Sequence, residues 1–166
     1  MKYLFVLFLL VSLKASAQID PSRITIARDS FGIPHVFAPT DPEVAYGIAW
    51  AHAEDDFETL QLVVLSGKTK LGTALGKKGA EGDYVIQLLR CRKTVEEQWN
   101  TLSPDFLELI KGYVAGLNAY AKAHPGEVKY KHAFPFDEKE YMTAVVFSTA
   151  LFCGIDEVLP QILGGK

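Results

Sequence analysis

The chain is 166 residues long, 49% hydrophobic and 22% charged. That balance excludes a disordered or collagen-like polypeptide and fits a single domain. Seventeen basic and twenty acidic residues give a formal net charge of −3, or −5 once Lys2 and Lys14 of the leader are set aside, which speaks against a nucleic-acid binder, a class that normally shows a basic field.

Met1-Lys2 is followed by the apolar run Tyr3 to Leu13, in which only Ser12 is polar, and then by Lys14 and Ala15-Ser16-Ala17. A basic start, a short apolar run and a small-x-small site describe a secretory signal peptide over 1–17, cut before Gln18. The alternative is an uncleaved anchor, although the run falls short of the ~20 residues that a spanning helix needs. The reading places residues 18–166 in the periplasm or outside the cell, with no membrane or nucleic-acid partner. Cys91 and Cys153 do not make a disulfide framework and are expected as buried free thiols, since Cys packs as a small hydrophobe.

Arg23 to Ala27 alternates, with Ile24 and Ile26 on one face, and predicts a strand. Ser30-Phe31-Gly32 is a turn, and Ile33 to Ala38 predicts a second strand whose Pro34 belongs at an edge or a strand start. Thr40-Asp41-Pro42-Glu43 opens a helix, with Thr40 expected to cap the Glu43 amide and the Glu43 carboxylate to reach back; the helix runs to about Leu65, with Val44, Ile48, Ala51 and Asp55 along one stripe. The glycines and lysines between Ser66 and Gly82 predict a loop with room for a short helical turn. Asp83 to Arg92 reads as a short helix. Ser103-Pro104-Asp105 starts a firmer one, with Leu107, Ile110, Val114, Leu117 and Ala121 at helical spacing, stopped by His124-Pro125-Gly126. Asp137 with Glu140 makes a further cap, and Ala144 to Cys153 continues as a nearly all-apolar helix, expected to be buried and ending at Gly154. Asp156 to Leu163 adds a last turn. Two short strands do not make a stable sheet alone, so the chain reads as a piece of something larger.

Complete catalytic constellations are missing from this pattern. Gly67-Lys68-Thr69 lacks the upstream glycine of a phosphate loop, where Leu62 stands. His52, Asp55 and Asp56 have metal-ligand spacing, set against the plainer alternative of a buried carboxylate accepting backbone amides. No Gly-x-Ser-x-Gly elbow is present. His124 and His132 fall in loops and are expected to be solvated.

Two segments carry a resemblance. Ile26-Ala27-Arg28-Asp29-Ser30-Phe31-Gly32-Ile33-Pro34-His35-Val36-Phe37-Ala38 resembles the opening hairpin of the penicillin acylase family. Tyr46-Gly47-Ile48-Ala49-Trp50-Ala51-His52-Ala53-Glu54-Asp55 resembles that family's next helix, normally YGxGYAxAEDR, and follows in the expected order and spacing. Asp56 stands where the family carries arginine. Gly82-Asp83-Tyr84 with Arg90, and Gly112 to Asn118, fit later family segments more loosely. The AEDDF and FCGIDEVL segments are closer to the acylases of acyl-homoserine lactones and lipopeptides.

The resemblance implies an N-terminal nucleophile hydrolase that splits linear amides. In that family a precursor cuts itself, and the new amino-terminal residue of a larger chain attacks the amide with its own α-amine as base. The fold class it implies is α+β: a mostly helical small chain with a short N-terminal β-hairpin, completing an αββα sandwich with the larger chain. No catalytic residue is then expected here, and the partners are that larger chain and a small-molecule amide. By position, Leu151, Phe152 and Cys153 would line the acyl pocket, with a plain helix core as the alternative. No cofactor is required for the chemistry. A structural calcium would fall on Glu157 with Asp156 beside it, with an ordinary acidic helix start as the alternative. Arg28, Asp29, His35 and Asp55 match family positions and read as structural. A non-catalytic exported helical binding protein, or a truncated remnant, stays open as the second reading.

Overall fold

A computed structural model describes residues 19–164, apart from the side chains of Asp156, Ile162 and Leu163. The leader expected over 1–17 lies outside the described residues. A hairpin of β1 (Thr25–Arg28) and β2 (Pro34–Phe37) leads into α1 (Asp41–Gly67), followed by α2 (Gly72–Leu75), α3 (Lys77–Leu88), α4 (Cys91–Gln98), α5 (Pro104–Ala123), α6 (Glu138–Phe152) and α7 (Ile155–Leu163). The strands pair antiparallel, with Thr25 opposite Phe37 and Arg28 opposite Pro34. Pro34 opens its strand, as a residue without an N–H must.

Short polar devices set the helix ends. The Ser103 hydroxyl accepts from Phe106 N at 3.3 Å. Asp137 and Glu140 form the reciprocal capping box, at 2.7 and 2.9 Å. Thr40 departs from expectation. Its hydroxyl makes no cap and instead donates to the Glu43 carboxylate at 2.9 Å. Glu43 is 2% exposed and also lies 3.6 Å from Arg23, so the buried charge is paired rather than spent on the helix amides.

α1 is the spine, and it packs most extensively on α5. Of the α1 stripe Val44, Ile48, Ala51 and Asp55, only Ala51 is buried, while Val44 is half-buried and Ile48 and Asp55 are exposed. Ala45, Ala49 and Ala53 face the core instead. The reason is a close crossing. A side chain on Gly112 would stand 2.2 Å from the Pro42 carbonyl oxygen, and one on Gly116 2.4 Å from that of Tyr46. Small residues on both helices let the backbones touch. Farther along, Phe57, Leu60 and Val64 meet Ile110, Val114 and Leu117 in the main core, each large side chain contributing about 1.5–3 kcal/mol on burial. The α5 stripe read from the sequence is therefore the buried one, except that Leu107 is only half-buried. α1 breaks at Asp56, whose backbone leaves the helical region (φ −152°, ψ 62°). The Asp56 carboxylate restarts the helix by accepting from Thr59 N at 3.3 Å.

Three further expectations are corrected. The glycine- and lysine-rich stretch from Ser66 to Gly82 is largely helical, because Asp83 accepts from both Leu71 N and Gly72 N at 2.8 Å and fastens the start of α2 to α3. The helix expected over Asp83 to Arg92 is cut at Arg90 (φ 57°) into α3 and α4. α6 is not a buried helix. Only Thr143 and Ala144 are fully covered, and Ser148, Thr149, Leu151 and Phe152 toward its C-terminal end are exposed. No helix among the described residues is long and apolar enough to cross a membrane.

Candidate functional site

The strongest polar constellation joins the hairpin to α1. Arg28 lies 3.0 Å from Glu54 and 2.8 Å from Asp55, and it also donates to the Gly32 carbonyl at 2.8 Å. Trp50 Nε1 donates to the other Glu54 oxygen at 3.1 Å. Glu54 and Asp55 raise the Arg28 pKa through those hydrogen bonds, against a weaker desolvation penalty. At the turn, Asp29 accepts from Ile33 N at 3.0 Å and Phe31 N at 2.9 Å, which lowers its pKa, with His35 Nε2 adding to the effect at 3.4 Å. Arg28 and Asp55, and Asp29 and His35, are thus brought together.

The His52, Asp55 and Asp56 side chains, which share metal-ligand spacing on α1, are dispersed. His52 Nδ1 sits 3.1 Å from the Tyr113 hydroxyl, Asp55 is taken by Arg28, and Asp56 caps the second half of α1. Neither Asp55 nor Asp56 is the buried carboxylate set out as the plainer alternative, since both are exposed. Burial raises the Tyr113 pKa, and Tyr141, its ring tilted against that of Tyr113 at 4.8 Å, adds to it. Tyr113 is therefore a neutral hydrogen-bonding group. His124 is half-buried rather than solvated, stacked on Tyr120 at 4.1 Å, while His132 is exposed. Cys91 is buried, and burial raises its thiol pKa, so it is inert. Cys153, expected inside, is exposed.

Leu151, Phe152 and Cys153 end α6, just before Gly154 turns the chain with φ 80°. All three are exposed, Phe152 by 93%. Glu157 is exposed in the first turn of α7, and the side chain of Asp156 lies outside the described residues. No group of three metal-ligating side chains occurs among the described residues. A second apolar surface rides on the hairpin, with Phe31 88%, Ile33 56% and Phe37 61% exposed. Large apolar side chains left at two such places are what an interface or ligand surface looks like before it is covered.

Residues 23–152 match the penicillin amidase family. The chain belongs to that family. It is 26% identical over 108 residues to penicillin acylase 2 proenzyme of Pseudomonas sp. (strain SE83), covering 64% of this chain and 14% of that protein. It is 31% identical over 125 residues to the acyl-homoserine lactone acylase PvdQ of Pseudomonas fluorescens (strain Pf0-1), covering 69% of this chain and 16% of that protein. A solved structure of thermostable penicillin G acylase from Alcaligenes faecalis shares the fold, with a TM-score of 0.66 at 24% identity over 76% of this chain and 72% of that one. The chain thus spans about one-seventh of the length of these curated relatives, and its described residues form a mostly helical unit with a two-stranded antiparallel sheet, similar in fold to that acylase structure.

Proposed function

We propose that this chain is the non-nucleophile part of an amidohydrolase that splits the carbon–nitrogen bond of a linear amide. The acyl group would come from a β-lactam antibiotic, an acyl-homoserine lactone or a lipopeptide. The observation that carries this reading is the family match over 23–152. The nucleophile and its base would belong to a larger chain, as an amino-terminal serine, threonine or cysteine. That residue would attack the amide carbonyl, the amine would leave with a proton, and water would release the acid from the acyl-enzyme.

In this reading the exposed hairpin and the exposed end of α6 are covered by the larger chain, which completes the αββα sandwich. Leu151, Phe152 and Cys153 line the acyl site. Glu157 and Asp156 would offer carboxylates to a calcium ion, whose hard charge takes oxygen donors. The remaining ligands would come from elsewhere. Export by the leader over 1–17 would put the enzyme in the periplasm or outside the cell.

The test is expression of the intact gene, followed by a denaturing gel and assays with phenylacetyl and octanoyl anilides. Two chains and release of the aniline are expected. A single inactive product of this size would overturn the reading in favour of a non-catalytic exported binding protein.

A further inference from the structure

The loop between α5 and α6 is fastened from inside by two side-chain amides. Gln61, fully buried, donates to the Glu127 carbonyl at 3.1 Å and accepts from Lys129 N at 2.8 Å and Tyr130 N at 3.2 Å. Asn118 donates to the Phe136 carbonyl at 2.9 Å and accepts from Phe136 N at 3.1 Å. Between these clamps, Phe134 stacks on Phe57 at 5.4 Å and meets Phe136 edge-on at 5.9 Å. From α1, Lys68 donates to the Pro135 carbonyl. A loop held at so many points is preformed, which lowers the ordering penalty of any ligand it receives.

Between this loop and the last turns of α5 lies an open groove of about 730 Å³, within the size range of small-molecule sites. Ala121, Pro125, Val128 and Phe134 give it an apolar floor, and Lys122, Lys129 and Lys131 stand at its rim. Lys129 is ion-paired with Glu58. Lys122 and Lys131 have no carboxylate partner among the described residues. The nearby Glu127 carboxylate accepts from the Tyr120 hydroxyl at 3.1 Å. Two uncompensated ammonium groups over an apolar floor, on a chain of net charge −3, complement one kind of small molecule: an anion carrying an apolar tail.

We propose that this groove binds a small amphiphilic monocarboxylate, its apolar part on Val128 and Phe134 and its carboxylate held by Lys122 and Lys131. The site is separate from the end of α6 and does not rest on the acylase reading, so it is scored by binding without turnover.

The probe is decanoate, titrated calorimetrically into the protein as its intact gene produces it. Saturable binding with Kd on the order of 0.1 mM is expected, with decanol binding about tenfold more weakly. The double substitution Lys122→Gln/Lys131→Gln, at two exposed positions, should weaken decanoate about tenfold and leave decanol unchanged, with the melting temperature retained. Raising the salt should weaken decanoate alone. Lys122→Glu/Lys131→Glu should abolish decanoate binding. The proposal is overturned if decanoate shows no saturable binding at about 1 mM. It is equally overturned if decanol binds as well as decanoate, or if both double variants bind decanoate like the parent. Absence of binding because another chain covers the groove counts against it too.

Discussion

Replacing Gly116 by alanine puts two effects in opposition, and distances in the structure say which wins. On propensity alone alanine stabilises a helix interior by about 0.5–1 kcal/mol. At Gly116 the new methyl would stand 2.4 Å from the Tyr46 carbonyl oxygen, 2.9 Å from its Cα and 3.0 Å from the Ala49 methyl. Backbone cannot swing aside as a side chain can, so α1 and α5 must separate by roughly 1 Å to restore ordinary contact. Forcing extra volume into a packed core costs about 1–3 kcal/mol. The net expectation is a loss of about 1–2 kcal/mol, and a melting temperature lower by about 2–8 °C for a unit of this size. Gly82→Ala is the control, because there the new methyl meets only the flexible end of Leu71 at 3.1 Å, and the propensity gain should show as neutral or slightly raised stability. Thermal melts of the intact protein, followed by the helical circular dichroism signal, read both variants. A Gly116→Ala protein as stable as the parent would refute the claim that the α1–α5 crossing depends on bare backbone at this point.

Gln61→Leu keeps the volume but strands Lys129 N, Tyr130 N and the Glu127 carbonyl, so stability should fall by about 2–4 kcal/mol. Hydrogen exchange at the amides of Lys129 and Tyr130 should quicken well before the core opens. Asp29 has a lowered pKa because it accepts the amides of Ile33 and Phe31. Its contribution to the hairpin is therefore complete above the ordinary carboxylate pKa of about 4 and is lost as pH falls through the lower folded value; amide shifts of Phe31 and Ile33 recorded from pH 6 downward should follow that course, and Asp29→Asn should remove it. Thiol labelling of this chain alone should modify exposed Cys153 quickly and buried Cys91 only on unfolding. In the assembled protein Cys153 should become protected if a larger chain covers the end of α6, and equal labelling in both states would argue against that cover.

The signals legible in the sequence were local ones. The hairpin, the Ser103 and Asp137 caps and the buried stripe of α5 each depend on residues a few positions apart, and each stands where the pattern placed it. Arg28, Asp29 and Asp55 stood out only as matches to family positions, and it is the tertiary structure that joins Arg28 of the hairpin to Glu54 and Asp55 of α1. What the chain alone did not reveal depends on neighbours distant in sequence. The glycines before Gly82 read as a loop because the carboxylate of Asp83 that fastens them acts from the next helix. The inward face of α1 is its alanine row because Gly112 and Gly116 bring a second backbone against it, and hydrophobicity carries no trace of so close a contact. The exposure of Phe152 and Cys153, and the groove fastened by Gln61 and Asn118, were equally invisible. Burial is a property of what packs alongside a residue, and a side chain's own polarity sets only its preference.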